Sequence, residues 1–348
     1  MKKIEKIYKK LEEAKIQALL INSPSNFSYL TDSEYIDSYL IITPSKNYLI
    51  TDKRFKFETE LFKKEWEVII DSDYFSSIKK IIKKEKIKYL GFEEKDLSFK
   101  EYQLIKEEVK LFKPVNILEE MRKIKTLQEI KRIKQAIKIT SEIIEMVKRI
   151  LSVGITEKRL CSEVNKFALL RGAQKLAFEP IVCFGENTAF PHAKPSFRRL
   201  SLNEVILIDV GVKFKNYCSD LTRVFYIGRI PKSFKKDFEL VLEAQNLAFS
   251  LIREGIEVQM IDKKIRDFFK KHKRIRGVLH STGHGIGIDV HEAPFLSVRS
   301  KEVLKENMVL TVEPGIYFKN KYGIRIEDIV LVKKKGAEIL SEYIHKSI

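Results

Sequence analysis

Five residues stand out for their chemistry: Asp209, Asp220, His284, Glu313 and Glu327. Each acid lies in or beside an apolar run. Val205 to Ile208 leads straight into Asp209, and Asp220 follows within Ser219-Asp220-Leu221-Thr222-Arg223. Glu313 follows Thr311-Val312, and Glu327 stands in Gly323-Ile324-Arg325-Ile326-Glu327-Asp328. An unpaired carboxylate at the end of a core strand is costly. Any one of these acids could face water, or pair with Arg223, Arg325 or a surface lysine. Four of them with one imidazole form a mixed oxygen and nitrogen donor set suited to a divalent metal ion. Four crowded carboxylates would repel and raise one another's pKa values. Two divalent cations would cancel them formally, whereas one would not. That arithmetic favours a two-metal site, with carboxylates bridging ions about 3.5–4 Å apart. The sulfur-rich ligand spacing of a structural zinc site is absent.

The chain has six histidines, the first of them His192. His192 lies in Phe190-Pro191-His192-Ala193. His280, His284 and His291 share the stretch Leu279 to Glu292, with Gly283, Gly285 and Gly287 around His284. Glycine removes side-chain bulk, so imidazole and backbone can approach a neighbour closely. Divalent metals lower the pKa of a bound water, making hydroxide available near neutral pH. His192 and His291 could then hold a substrate carbonyl and its developing oxyanion. His280 could line the far side of the pocket or be a satisfied loop histidine.

The positioning elements divide at about residue 118. Residues 3–15 have helical spacing (Ile4, Ile7, Tyr8, Leu11), and Gln17 to Ile21 reads as a strand broken by Asn22 to Asn26. A hairpin, Tyr39–Ile42 with Tyr48–Thr51, precedes further alternation: strands at Trp66–Ile70 and Ile87–Phe92, helices at Ile78–Lys86 and Phe99–Val109. This predicts an α/β domain over 1–118, with no glycine-rich phosphate loop after any strand and no catalytic cluster. Residues 113–126 read as a bridge. Beyond it, a long helix carries Ile130, Ile133, Ile137, Ile144 and Val147 on one stripe, and Thr156 caps a second helix to about Leu170. Helices over Phe238–Ile252 and Ile261–Phe269 form a second pair. Strands are expected at Pro180–Phe184, Val205–Ile208, Thr222–Ile227, Met308–Val312 and Ile324–Val332. Helix pairs followed by strand groups, twice over, suggest an α+β domain over 119–348 with a rough internal duplication.

The 348 residues carry a formal charge of +18, with net +1 in residues 1–120 and +17 in the remainder. The basic residues are mostly lysines spread over helical polar faces with acids between them. That argues for a solvated surface and against a nucleic-acid face, leaving a basic RNA- or protein-binding module as a remote alternative. Cys161, Cys183 and Cys218 offer no disulfide framework, which fits a reducing, cytoplasmic setting. The N-terminal stretch lacks the apolar core of a signal peptide, and no apolar run is long enough to span a membrane.

Taken together, the chain resembles the pita-bread metallopeptidase family, in the proline-specific branch of Xaa-Pro aminopeptidases and Xaa-Pro dipeptidases (prolidases). The motifs that carry this are Phe178-Glu179-Pro180-Ile181-Val182 through Pro191-His192, Asp209-Val210-Gly211, Ser219 to Arg223, His280 to Glu292, Val312-Glu313-Pro314-Gly315 and Arg325-Ile326-Glu327-Asp328. Residues 1–118, with Tyr29-Leu30-Thr31 and Thr51-Asp52-Lys53-Arg54-Phe55, resemble the family's smaller N-terminal domain. The resemblance implies a C-terminal pita-bread (creatinase/aminopeptidase) domain preceded by a creatinase-like α/β domain, in a homodimer. It implies Asp209, Asp220, His284, Glu313 and Glu327 as ligands of two divalent ions, Mn²⁺ or Co²⁺, with Zn²⁺ or Fe²⁺ also compatible. Asp220 and Glu327 would bridge. Glu313 would handle the proton of the attacking water. His192 and His291 would bind substrate and steady the transition state. His280 would be a further pocket histidine, and Arg325 would steady the acidic shell. The substrates would be short peptides with proline in second position, with an aminopeptidase favoured slightly over a dipeptidase. Asn216 departs from the family's usual glycine, and the expectation is a local turn change without loss of metal, since asparagine tolerates left-handed geometry.

Overall fold

The computed structural model describes residues 3–346. It divides between Arg122 and Lys123 into two compact units, four residues beyond the boundary expected from the sequence.

The first unit opens with α1 (Lys3–Glu13), whose Ile7 and Leu11 are buried, and β1 (Ala18–Ile21), buried along its whole length. The reading of Asn22 to Asn26 as a simple break is corrected here, because α2 (Pro24–Thr31) begins inside it. Proline is tolerated in the first helical turn, where its missing N–H would have had no partner. Next come β2 (Ser38–Ile42), β3 (Asn47–Thr51), β4 (Glu67–Ile70), α3 (Tyr74–Lys84), β5 (Tyr89–Phe92) and α4 (Phe99–Lys106). The expected bridge over 113–126 is also corrected. It holds the end of a sixth strand, β6 (Leu111–Pro114), and a helix, α5 (Ile117–Lys123). Pro114 is accommodated because β6 is an edge strand. The six strands form one mixed sheet in the order β4-β3-β2-β1-β5-β6. Leu20, Ile41, Tyr48, Ile78 and Leu90 belong to its core.

The second unit begins with α6 (Leu127–Ile150), started by a Thr126/Glu129 capping box, and α7 (Glu157–Leu170), capped as expected by Thr156. Its strands are β7 (Lys175–Leu176), β8 (Ile181–Phe184), β9 (Glu204–Val210), β10 (Val212–Phe214), β11 (Tyr217–Cys218) and β12 (Leu221–Ile227). The second helix pair is α8 (Lys232–Leu251), which starts six residues before the expected Phe238, and α9 (Val258–Lys271). The remaining strands are β13 (Gly283–Gly285), β14 (Glu292–Leu296), β15 (Val309–Val312), β16 (Gly315–Phe318), β17 (Tyr322–Arg325), β18 (Asp328–Lys333) and β19 (Gly336–Ile339).

Each helix pair is therefore followed by antiparallel strands. The main sheets are β12-β9-β8 and β14-β13-β15-β18-β19, with β16–β17 as a separate hairpin. Their core includes Val205, Val224, Phe238, Ile261, Leu310 and Val330. The single strand expected over Ile324–Val332 is two. β17 and β18 belong to different sheets, and Ile326 and Glu327 form the link between them.

Candidate metal centre

Strand register brings the acids together. β9 pairs antiparallel with β12, with Thr222 opposite Asp209 and Leu221 opposite Val210. Asp209 and Asp220 therefore share one end of that sheet. The chain between them makes a small β10–β11 hairpin whose turn residues, Lys215 and Asn216, have φ of 45° and 68°. Asn216 thus adopts the left-handed geometry that asparagine tolerates. Glu313 directly follows β15, and its N–H donates to the Thr282 carbonyl at 2.8 Å. Glu327 stands where the chain changes sheets. His284 is the middle residue of β13, at an irregularity in its pairing with β14. A Cβ on Gly283 would lie 2.1 Å from the Thr311 oxygen, and one on Gly285 would lie 2.4 Å from the Ala293 oxygen. Only glycine allows the neighbouring strands to close on His284 from both sides.

One ligand atom each from Asp220, His284 and Glu327 lies within 4.8 Å of the other two. His284 Nε2 is 3.4 Å from Glu313 Oε1 and 3.7 Å from Asp220 Oδ2. The other ring nitrogen, Nδ1, is 3.0 Å from the Gly285 carbonyl oxygen. A carbonyl can only accept, so Nδ1 carries the proton and the Nε2 lone pair faces the carboxylates. Burial, then the neighbouring His291, lowers the His284 pKa to about 4, so the ring is neutral.

The carboxylates are held in the opposite sense. Burial first, then repulsion from neighbouring acids, raises Asp220 and Glu327 well above the usual carboxylate range. Burial raises Glu313 to about 7, against the pull of Arg325. Asp209 Oδ1, Asp220 Oδ1 and Glu327 Oε1 are buried and have no hydrogen-bond partner. Lone pairs facing lone pairs in a buried space call for a cation, and this donor set fits a divalent ion.

Arg325 supplies part of that positive charge. Its Nη2 donates to Asp209 Oδ2 at 2.5 Å, its Nε to Thr222 Oγ1 at 3.0 Å and its Nη1 to the Tyr317 hydroxyl at 2.6 Å. Thr222 in turn donates to Glu327 Oε2 at 2.8 Å. The guanidinium thus offsets one of the four carboxylate charges, so formal charge alone no longer decides the number of ions. Arg223 is committed elsewhere, to Asp328 at 2.8 Å. Tyr317 links Arg325 to His280, whose Nε2 accepts from the hydroxyl at 2.9 Å while Nδ1 donates to the Ser281 carbonyl at 2.8 Å. Both nitrogens of His280 are occupied, and burial lowers its pKa to about 4. Thr222 and Tyr317 carried no signal in the sequence, since each looks like an ordinary strand residue.

These groups line a cavity of about 470 Å³. Its wall also carries His192, His291 and Lys194, all exposed. His291 stacks edge-on to His284, with ring centres 4.4 Å apart. Neither His192 nor His291 has a hydrogen bond among the described residues, so both are open to a bound molecule. The five expected ligands, the three further histidines and Arg325 all border this one cavity.

Residues 131–334 match the model for metallopeptidase family M24, and residues 3–124 match the creatinase/prolidase N-terminal domain. The chain belongs to family M24. Within the family it falls in the branch of the Xaa-Pro peptidases, as a metal-dependent exopeptidase with a creatinase-like domain ahead of a pita-bread domain. It is 31% identical over 345 residues to an Xaa-Pro dipeptidase of Pyrococcus furiosus, covering 98% of this chain and 97% of that one. It is similar to the structure of an Xaa-Pro dipeptidase from Bacillus anthracis, with a TM-score of 0.94, 31% identity and coverage of 99% and 98%. It is also similar to the structure of an X-Pro aminopeptidase from Thermotoga maritima, with a TM-score of 0.88, 34% identity and coverage of 97% and 99%. Among the described residues, no helix is long and apolar enough to cross a membrane.

Proposed function

We propose that the enzyme is an Xaa-Pro dipeptidase using two divalent ions, Mn²⁺ or Co²⁺, held by Asp209, Asp220, His284, Glu313 and Glu327. The observation that carries the metal reading is the set of three buried, unpartnered carboxylate oxygens beside the bare Nε2 of His284. An oxygen-rich set favours harder ions, though Zn²⁺ and Fe²⁺ accept the same donors. When bound, such ions polarise the scissile carbonyl and bring a water's pKa toward neutrality.

The chain's own residues would supply the rest. Glu313 takes a proton from the attacking water and passes it to the departing proline nitrogen. His192 and His291, exposed on the cavity wall, donate to the oxygen that gains charge. The substrate's free amino group is drawn to the acidic edge, which sets the exopeptidase register. Arg325, Thr222, Tyr317 and His280 are committed to one another and to Asp209 and Glu327. Their role is to hold the acids rather than to touch substrate.

Substrate length turns on what meets the carboxylate of a dipeptide. The cavity of about 470 Å³ suits a small ligand. Two cationic side chains border it, Arg325 and Lys194. Arg325 is spent on Asp209, whereas Lys194 is exposed and makes no ion pair among the described residues. A free cation on the wall, with the dipeptidases among the relatives, moves the reading from the aminopeptidase expected from sequence to the dipeptidase. The aminopeptidase remains the second reading because of the likeness to the Thermotoga maritima enzyme.

The test is to strip the protein of metal, restore it with Mn²⁺ and follow release of alanine from Ala-Pro and Ala-Pro-Ala side by side. Cleavage of Ala-Pro alone is expected. Cleavage of the tripeptide at an equal or better rate makes it an aminopeptidase, and silence on both by metal-loaded protein overturns the proline-specific reading.

A further inference from the structure

Behind the metal centre lies a second polar layer, largely buried. α8 turns an apolar stripe of Leu240, Ala244 and Ala248 toward the core, and Gln245 is buried completely among them. An amide in such a place is unfavourable unless its hydrogen-bonding capacity is met. Gln245 Nε2 lies 3.0 Å from the carbonyl oxygens of both Val312 and Ile326, and 3.0 Å from Asp328 Oδ2. Val312 immediately precedes Glu313, and Ile326 immediately precedes Glu327. One amide nitrogen therefore ties together the two chain segments that present these glutamates.

The rest of the layer braces that tie. Gln245 Oε1 accepts from Lys346 Nζ at 2.9 Å, and Lys346 also pairs with Asp328 Oδ2 at 2.7 Å. The other oxygen of Asp328 accepts from Arg223 at 2.8 Å and from the Ser341 hydroxyl at 2.6 Å. Arg223 Nη1 donates to the Glu327 carbonyl oxygen at 2.6 Å. The link between β17 and β18 is thus gripped at two successive carbonyls, Ile326 by Gln245 and Glu327 by Arg223. Two cations and one anion give the layer a net positive charge directly behind four acids.

We infer that Gln245 is a positioning residue for the metal centre, fixing Glu313 against Glu327, and that Lys346 holds Gln245 in the required orientation. The inference rests on the reading of the acidic cluster as a metal site. It is tested by titrating metal-free wild type, Gln245→Met and Lys346→Met with Mn²⁺ in a calorimeter. Circular dichroism and thermal melts of the metal-free proteins run alongside. Methionine keeps the length of each side chain and removes its hydrogen bonds. Gln245→Met should bind Mn²⁺ about ten- to a hundredfold more weakly, and Lys346→Met should show a smaller loss in the same direction. Both should keep the wild-type circular dichroism spectrum. If both variants bind within about twofold of wild type, even with lowered melting points, Gln245 only packs and the inference fails. Lys346 is partly exposed, so its variant decides alone if Gln245→Met does not fold. Wild type that binds no Mn²⁺ overturns the metal reading itself, a failure visible before any variant is compared.

Discussion

Glu157 and Asp262 are as deeply buried as Asp220 and Glu327, yet they meet opposite surroundings. The Glu157 carboxylate accepts from the Phe184 and Ser196 N–H groups, the Asn187 amide and the Ser196 hydroxyl, at 2.6–2.9 Å. Asp262 accepts from the N–H and hydroxyl of Thr282, the N–H of Val298 and the Arg266 guanidinium. Every oxygen of these two acids is served by the protein. In the metal centre, Asp209, Asp220 and Glu327 each keep one buried oxygen unserved. Burial does not separate structural from functional acids here. What separates them is whether the fold supplies the donors, because an acid left unserved among other acids costs stability unless a cation comes from outside.

This contrast can be broken most sharply at its two poles. Asp220→Ala should lower turnover by roughly a thousandfold or more, since several kcal/mol of charge stabilisation depart with the metal. The same change relieves repulsion, so the melting point of the metal-free protein should rise. A fall in that melting point would place Asp220 with the structural acids. Glu157→Ala should do the reverse. Stranding its donors should destabilise the fold by about 3 kcal/mol, read by denaturant unfolding, while metal binding and activity per folded molecule stay unchanged.

A smaller effect comes from pH. Glu313, raised to about 7, holds a proton below that pH, and metal must displace it. His284, lowered to about 4, is already neutral there and does not compete. Asp220 and Glu327, also raised well above the usual carboxylate range, compete in the same direction, so apparent Mn²⁺ affinity should fall as pH drops through 7, by at least about tenfold per unit, with proton release on binding. Calorimetry in buffers of different ionisation enthalpy measures both, and an affinity flat between pH 8 and pH 6 contradicts the assignment.

Lys194 is the mirror image, a cation without an acid. Lys194→Met should raise KM for Ala-Pro by roughly fivefold to tenfold, the worth of one charged hydrogen bond near solvent, and leave kcat nearly unchanged. An unaltered KM would remove the structural support for the dipeptidase reading.

Sequence reasoning reached the site because its acids interrupt apolar runs, and four such interruptions with one glycine-flanked histidine make a pattern. It anticipated the Asp209–Asp220 pairing from two adjacent strands, and the left-handed Asn216. It could not foresee that Ile324–Val332 breaks at Glu327, because apolar residues resume directly after Glu327-Asp328 and no glycine or proline marks the sheet change. α2 was hidden by Pro24 and its polar neighbours, which read equally well as a turn. Gln245 looked like one more polar residue on a helix, and Tyr317 like a core aromatic. Gln245 gains its role from partners more than 60 residues away in the chain, and Tyr317 from His280, 37 residues away, as well as from Arg325 across its own hairpin. Local periodicity carries no record of such pairings.

The most direct measurement is the metal count. Metal-free protein is saturated with Mn²⁺, passed through a desalting column and analysed by mass spectrometry for manganese per chain, with Asp220→Ala alongside. The expected outcome is about two ions per wild-type chain and close to none in the variant. Folded wild type that retains less than one ion per chain would contradict it, and would mean that protons, not metal, neutralise the buried acids.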